Sequence, residues 1–336
     1  MVLYRIEGRT VVVMENARLW TGEFLGVSTI EFACGGYEGS FTVEGANLVR
    51  FEYVPKHISL LHMPKDERAL RTQKIYGIPL LFFPNRIKDG IFQFEGKTYQ
   101  FPVNSENNMH IHGFLDGYTD WEVIKQEAGE DYVNITFAHT IQQGSEMYKY
   151  FGFEIGIVYE NIITPEGLQQ NITFENKSDK TMPFGFAYHT TFNVPFNDSP
   201  EDAFRIGINL KQRYELDKCI PTGQLLPLDA LESQTAGEGM PVFARTLDNL
   251  YLSDETQPNA AIITDAVTGE QIVYEADRKF RHWILYNADA KQRFLSVEPQ
   301  TCCTNAVNSD MPTANLVTLA PGEKISLATK LYVKEN

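Results

Sequence analysis

The sequence predicts an all-β fold, a large antiparallel β-sandwich, on three observations. Short strand-like runs punctuated by turn residues fill most of the chain. No amphipathic stripe at i, i+3, i+4, i+7 persists beyond about three turns. Strands do not alternate with amphipathic helices, as a parallel α/β sheet requires. Many antiparallel strands at steady spacing suit a sandwich or barrel. The 336 residues contain no low-complexity linker, charge block or fixed-period repeat. Large all-β domains can exceed the usual domain length without dividing, so one domain over residues 1–336 is expected.

The elements follow in chain order. Ser40–Val54 (SFTVEGANLVRFEYV) has turn chemistry at Glu44–Asn47 between two β-rich arms. Lys65–Arg71 and Pro200–Ala203 each open a short helical turn. Ile91–Phe101 (IFQFEGKTYQF) predicts a tight hairpin around Glu95-Gly96-Lys97, because Gly tolerates positive φ. Tyr132–His139, Phe153–Tyr159 and Leu168–Glu175 show partial period-two alternation. Ala260–Glu275 places Thr268-Gly269 between β-branched arms, and Leu316–Val333 has strands on both sides of Pro321-Gly322.

Composition excludes whole classes of partner. The formal net charge is −15, which argues against nucleic acid, since phosphate binding relies on clustered Lys and Arg. It argues equally against an anionic membrane surface. The longest apolar run near the middle, Ile78–Pro84, is too short to cross a bilayer. The N-terminal MVLYRIEGRT lacks a basic start followed by an apolar stretch, so no secretory signal is expected. Cys34, Cys219, Cys302 and Cys303 show no CxxC spacing, and two are adjacent, a poor disulfide framework. Asn134, Asn171 and Asn176 begin sequons that are coincidental without export. A reduced, cytoplasmic protein is expected.

Four segments place polar residues beside apolar runs where solubility does not require them: Phe83–Ile87, Met109–Phe114, Tyr188–Phe196 and Val297–Asn308. On a strand, His110 and His112 would point the same way, which suits metal ligation. A cupin-type site also needs a carboxylate a few residues on and a further His downstream. Asp116 sits in a Gly-flanked loop and Glu122 is too distant. The alternative is one buried, hydrogen-bonded histidine, His110, and a ligand-facing His112, since Gly113 lets a backbone or ligand come close. Arg86, after the apolar run, must find partners for its charge. A structural ion pair and a fork holding hydroxyls both satisfy that. Taken singly, His189 reads as a core histidine and Glu298 as a solvated carboxylate. Phosphate-loop, dinucleotide, HExxH and GxSxG signatures are absent from the sequence.

Taken together and in order, these segments resemble the aldose 1-epimerase (galactose mutarotase) family. PNRIKDGIFQFEGKTYQF from Pro84 resembles its Asn-Arg strand and following hairpin, and MHIHGF its histidine-glycine motif. GLQQNITFENKSDKTMPFGFAYHTTFNV from Gly167 resembles a strand, a turn and the catalytic histidine. PTGQLLPLD from Pro221 and TLDNLYL from Thr246 fit the segment leading to the binding aspartate, and VEPQTCCTNAVN the C-terminal glutamate motif. The resemblance runs from about Ala33 to the C-terminus. It implies the family's β-supersandwich, Glu298 as general base, His189 as general acid, and Arg86, His112, Asp248 and Asn85 as sugar-binding residues. It implies a small-molecule sugar substrate and no metal or organic cofactor. Thr191 stands where many members carry an aromatic residue, Val194-Pro195 follows Asn193 where Leu is common, and the double cysteine is unusual. These departures bear on sugar specificity more than on the reaction. The expected activity is interconversion of the anomers of a free aldohexose such as galactose or glucose. The alternatives are an epimerase for a phosphorylated or otherwise anionic sugar, and a carbohydrate-binding or sensing protein without turnover.

Overall fold

The computed structural model describes residues 2–6 and 9–13 by their backbone, and residues 17–115 and 120–335 in full. Their strands form three large sheets with antiparallel ladders. A five-stranded sheet runs in chain order from Ala17–Phe24 to Ile58–Ser59. Its hairpins close locally, and the turn expected at Glu44–Asn47 is a 3-10 turn at Glu44–Ala46.

The nine-stranded sheet starts with the meander Glu122–Ala128, Val133–Ile141, Ile155–Thr164 and Gly167–Asn176. Beside the last strand lies Lys324–Lys334, which in turn pairs with Gln271–Ala276. Period-two patterning is clear here: Ile155, Ile157, Tyr159, Asn161 and Ile163 are buried, while the residues alternating with them are wholly or partly exposed. That alternation belongs to a sheet with one face on a core and one in water. The Glu95-Gly96 turn joins Ile91–Phe94 to Lys97–Gln100, with both turn residues at positive φ. Two-residue hairpin turns of this hand match strand twist.

Leu316–Val333 behaves differently from a simple hairpin. Val317–Leu319 and Lys324–Lys334 flank Pro321-Gly322 without pairing with each other. Val317–Leu319 pairs instead with Met182–Phe184. Helical turns occur at Glu67–Thr72 and Glu201–Ala203, as expected. A helix at Glu146–Phe151 was not anticipated; Ser145 caps its start and Gly152, left-handed, ends it.

The eight-stranded sheet carries the site. Its order runs Ile220–Leu226, Gln212–Asp217, Asp248–Leu252, His282–Tyr286, Phe294–Gln300, Ala187–Tyr188 and Leu80–Leu81, with Thr191–Asn193 also paired to Phe294–Gln300. The main core cluster takes Trp283, Leu285, Leu295 and Val297 from this sheet and Phe174, Ile172 and Leu327 from the nine-stranded one. No helix among the described residues is long and apolar enough to cross a membrane.

Candidate active site

All seven residues of Phe294–Gln300 are buried, so both faces of this strand are covered. Leu295 and Val297 belong to the core. By alternation Ser296, Glu298 and Gln300 project from the opposite face. Directly opposed residues of neighbouring strands share a face. Asp248 opposes Tyr286, Tyr286 opposes Ser296, and Ser296 opposes Thr191. A polar row therefore crosses four strands. Glu298 stands two residues after Ser296 and His189 two residues before Thr191, which brings them together at one end of that row.

His189 Nε2 lies 3.3 Å from Glu298 Oε1, with the side chains 4% and 2% exposed. Gln300 Nε2 donates to the other carboxyl oxygen at 3.4 Å. On the far side of the imidazole, Nδ1 is 3.4 Å from Thr191 Oγ1, which is 2.9 Å from Ser296 Oγ. The backbone N–H of His189 donates to Pro79 at 2.9 Å. Burial, followed by the charge of Asp248, pushes the Glu298 carboxyl up to about 8 against the pull of Arg86. Burial, with help from Lys74 and Arg86, pushes His189 down to about 4. Both shifts follow first from burial, which disfavours the charged form of either group.

His112 packs edge-on against His189, ring centroids 5.1 Å apart at 81°. Its Nδ1 is shut off from solvent and has no hydrogen-bond partner among the described residues. Burial and the neighbouring His189 keep its pKa well below the ordinary range. The expectation that His110 and His112 point the same way fails. The strand ends at Ile111, and His112 is left-handed at φ 64°, so the alternation is broken between them. His110 is buried and bonds through Nδ1 to the carbonyl of Pro102 at 2.8 Å. Among the described residues no group of three or more His, Cys, Asp or Glu is placed to hold a metal ion. Asp116 lies outside the described residues.

Arg86 opens a short strand paired with Met109–Ile111, and its carbonyl accepts from Asn305 N at 2.9 Å. The loop after Glu298 thus fixes the arginine backbone. Its Nη1 donates to Asn85 Oδ1 at 3.1 Å, and it has no ion pair among the described residues. The structural ion pair considered from sequence is thus not seen among the described residues. Asn85 is buried, orienting Arg86 from behind. Asp248, on the same sheet face as Glu298, accepts from the Cys219 thiol at 3.5 Å. The structure thus brings Glu298, His189, His112, Arg86 and Asp248 to one end of the eight-stranded sheet.

Sequence reasoning missed Tyr286, Thr191 as a partner of His189, Ser296 and Gln300. Tyr286 lies near enough to Asp248 and Glu298 for their charges to raise its pKa, after burial. The period-two rule applied outward from Glu298 and His189 would have found Ser296, Gln300 and Thr191. Tyr286 needs the cross-strand register, which is not local.

Residues 28–332 match the family profile described as aldose 1-epimerase. The protein YihR of Escherichia coli K12, itself uncharacterised, is 24% identical over 314 residues, 90% of this chain and 92% of that one. The maltose epimerase of Levilactobacillus brevis is 26% identical over 188 residues, 54% of this chain and 52% of that one. A galactose mutarotase-like protein of Clostridium acetobutylicum has a crystal structure matching with a TM-score of 0.92 at 28% identity, over 96% of this chain and 100% of that one.

Proposed function

From the premise that the chain belongs to the aldose 1-epimerase family, a class of isomerases, we propose that it interconverts the α and β anomers of an aldohexose such as glucose or galactose, with Glu298 as base and His189 as acid. One observation carries the assignment: the buried contact of 3.3 Å between His189 Nε2 and Glu298 Oε1. Ring opening removes a proton from the anomeric hydroxyl and adds one to the ring oxygen. Those two oxygens are bonded to the same carbon, so the groups serving them must be neighbours. The carboxylate takes the hydroxyl proton while the imidazolium gives its own to the ring oxygen. The aldehyde end then rotates and the ring recloses on its other face, with both protons retracing their paths. The reaction needs no metal or organic cofactor, since protons only move between two side chains and the sugar.

Arg86, with no carboxylate partner among the described residues, and His112, with a ring nitrogen unpartnered among them, are suited to stabilise charge developing at the ring oxygen and to hold adjacent hydroxyls. Asp248 accepts from hydroxyls further round the ring. An anionic sugar would need basic residues near the pocket mouth, and the nearby cluster in the sequence is Arg68, Arg71 and Lys74. Arg71 bonds to Glu44 and Glu67, and Lys74 reaches the carbonyls of His112 and Gly113. That cluster gives an anionic sugar little support.

A cytoplasmic setting is also proposed. Its support is four free cysteines and the burial of Asn134 and Asn176, whose amides are engaged inside the protein.

Polarimetry on freshly dissolved α-glucose and α-galactose tests the activity. Glu298→Gln should lower kcat by about 10²-fold or more, the usual general-base contribution, with circular dichroism unchanged. Full activity in that variant would remove Glu298 from the mechanism.

A further inference from the structure

Arg86 and Asp248 belong to two spaces at once. Besides facing Glu298, they line a trough of about 850 Å³ walled by the Val103–Asn107 segment on one side and Lys218 and Cys219 on the other. Neither Glu298 nor His189 lines it; Arg86 and Asp248 are shared with the catalytic pair, and the other lining residues extend the site beyond them. Sites for drug-sized ligands run about 300–1,000 Å³. One hexose, held by the catalytic pair, Arg86 and Asp248, is much smaller than that class and fills at most part of the trough.

The chemistry of the walls narrows the occupant. Glu106, Asn107 and Lys218 are exposed, and their side chains have no hydrogen-bond or ion-pair partner among the described residues. Asn104 is already committed to the backbone of Ile111 at both ends of its amide. Two cations, Arg86 and Lys218, stand with two anions, Glu106 and Asp248. The trough therefore gives no net attraction to a phosphate or sulfonate. It offers separate donors and acceptors, which suits a neutral group carrying many hydroxyls.

We propose that the trough is a glycosyl subsite, and that the preferred substrate is a reducing disaccharide or longer oligosaccharide. Its reducing unit mutarotates between Glu298 and His189, while the next, neutral sugar residue lies between Val103–Asn107 and Lys218–Cys219. This rests on the mutarotase reading, which it refines.

The test compares mutarotation of glucose and galactose with that of maltose, lactose and melibiose, and of glucose 6-phosphate. At least one disaccharide should exceed both free hexoses about tenfold in kcat/KM. The double variant Glu106→Ala/Lys218→Ala, confined to exposed side chains, should erase that advantage by about tenfold, the worth of one or two hydrogen bonds. Its rate on free hexoses should stay within about twofold. Hexoses turned over faster than all three disaccharides, equal losses on both classes, or preference for glucose 6-phosphate would each overturn the subsite. A protein inert towards every sugar would reject the mutarotase reading instead. Calorimetry would then decide the trough: tighter binding of a disaccharide than of glucose, lost in the double variant, supports it, and equal or absent binding overturns it.

Discussion

Between Glu298 and His189 one exchangeable proton is conserved through the whole cycle. With the carboxyl pushed up and the imidazole down, the free enzyme keeps that proton on the carboxyl. In the reactive tautomer it sits on the imidazole before ring opening and on the carboxyl after it, and reclosure returns it. The active form is therefore the pair holding a single proton, and the pair titrates as a unit. With the carboxyl pushed up to about 8 and the imidazole down to about 4, that form spans the interval between. Below about pH 4 the pair gains a second proton and no base remains; above about pH 8 it loses its only proton and no acid remains. The kcat/KM profile of mutarotation, which reports the free enzyme, should be a bell with limbs near these values. A profile flat from pH 3 to 9 would contradict a one-proton pair. Thr191 bears on the same proton. Its hydroxyl at 3.4 Å from Nδ1 gives that nitrogen a partner and leaves Nε2 to face the carboxyl and the sugar. Thr191→Val keeps the shape and removes the hydroxyl. It should lower kcat up to about tenfold, the value of one net hydrogen bond, with KM within about twofold, and Thr191→Ser should restore it. Initial rates that are the same in all three proteins would deny Thr191 this role. Neither residue stands out in the sequence: a polar side chain on a strand buried on both faces looks the same there whether it faces a core or a pocket. Glu298 and His189 became legible only through the ordered set of motifs around them.

At the level of elements, the histidine–glycine segment shows how backbone geometry aims a side chain. His112 N donates to Asn85 O at 2.8 Å and Phe114 N to Phe82 O at 3.2 Å, clamping residues 112–114 along the chain that leads to Arg86. Gly113, at φ 63°, has no room between them: a Cβ there would lie 1.8 Å from the Phe82 carbonyl oxygen. Both the positive φ and the contact with rigid backbone oppose any side chain. Gly113→Ala should destabilise the protein by about 2–3 kcal/mol and weaken catalysis by displacing His112. Urea unfolding checks the first and polarimetry the second; wild-type stability in this variant would mean that the segment yields easily. The sequence indicated close approach at this glycine but not the break in alternation before it, because a left-handed histidine carries no local signature. The Glu146–Phe151 helix escaped for another reason. It is too short for a periodic stripe, and only its Ser145 and Gly152 caps announce it. Hairpins whose turn chemistry lies between their own arms, such as Ile91–Gln100, were readable because nothing distant decides them.

Across the whole molecule, the decisive pairings join segments far apart in the chain, and turn residues are silent about these. Pro321-Gly322 marked a turn correctly, yet the strands around it go to different sheets. Lys324–Lys334 becomes an interior strand of the nine-stranded sheet, between Gly167–Asn176 and Gln271–Ala276. Its Leu327 and Leu331 enter the main core beside Phe174 and Leu168. The register Leu168↔Leu331 to Glu175↔Lys324 means that Gly167–Asn176 lacks one neighbour until the last residues are present. Removing that strand strips two neighbours of a full ladder of hydrogen bonds, creating two apolar edges in the middle of a sheet. It also opens the core at two fully buried leucines, each worth about 2–5 kcal/mol if truncated to alanine, against a total stability of about 5–15 kcal/mol for a typical protein. A chain ending at Pro321 should therefore be recovered as aggregate, although Glu298, His189, Arg86 and Asp248 are all retained. Soluble expression of that truncation with native circular dichroism and full mutarotation would show that the sheet closes without its interior strand. The milder double substitution Leu327→Ala/Leu331→Ala separates core from edge. It keeps the backbone ladder, so it should remain soluble with a lowered urea midpoint, placing any aggregation of the truncated chain on its unpaired strands rather than on the lost side chains.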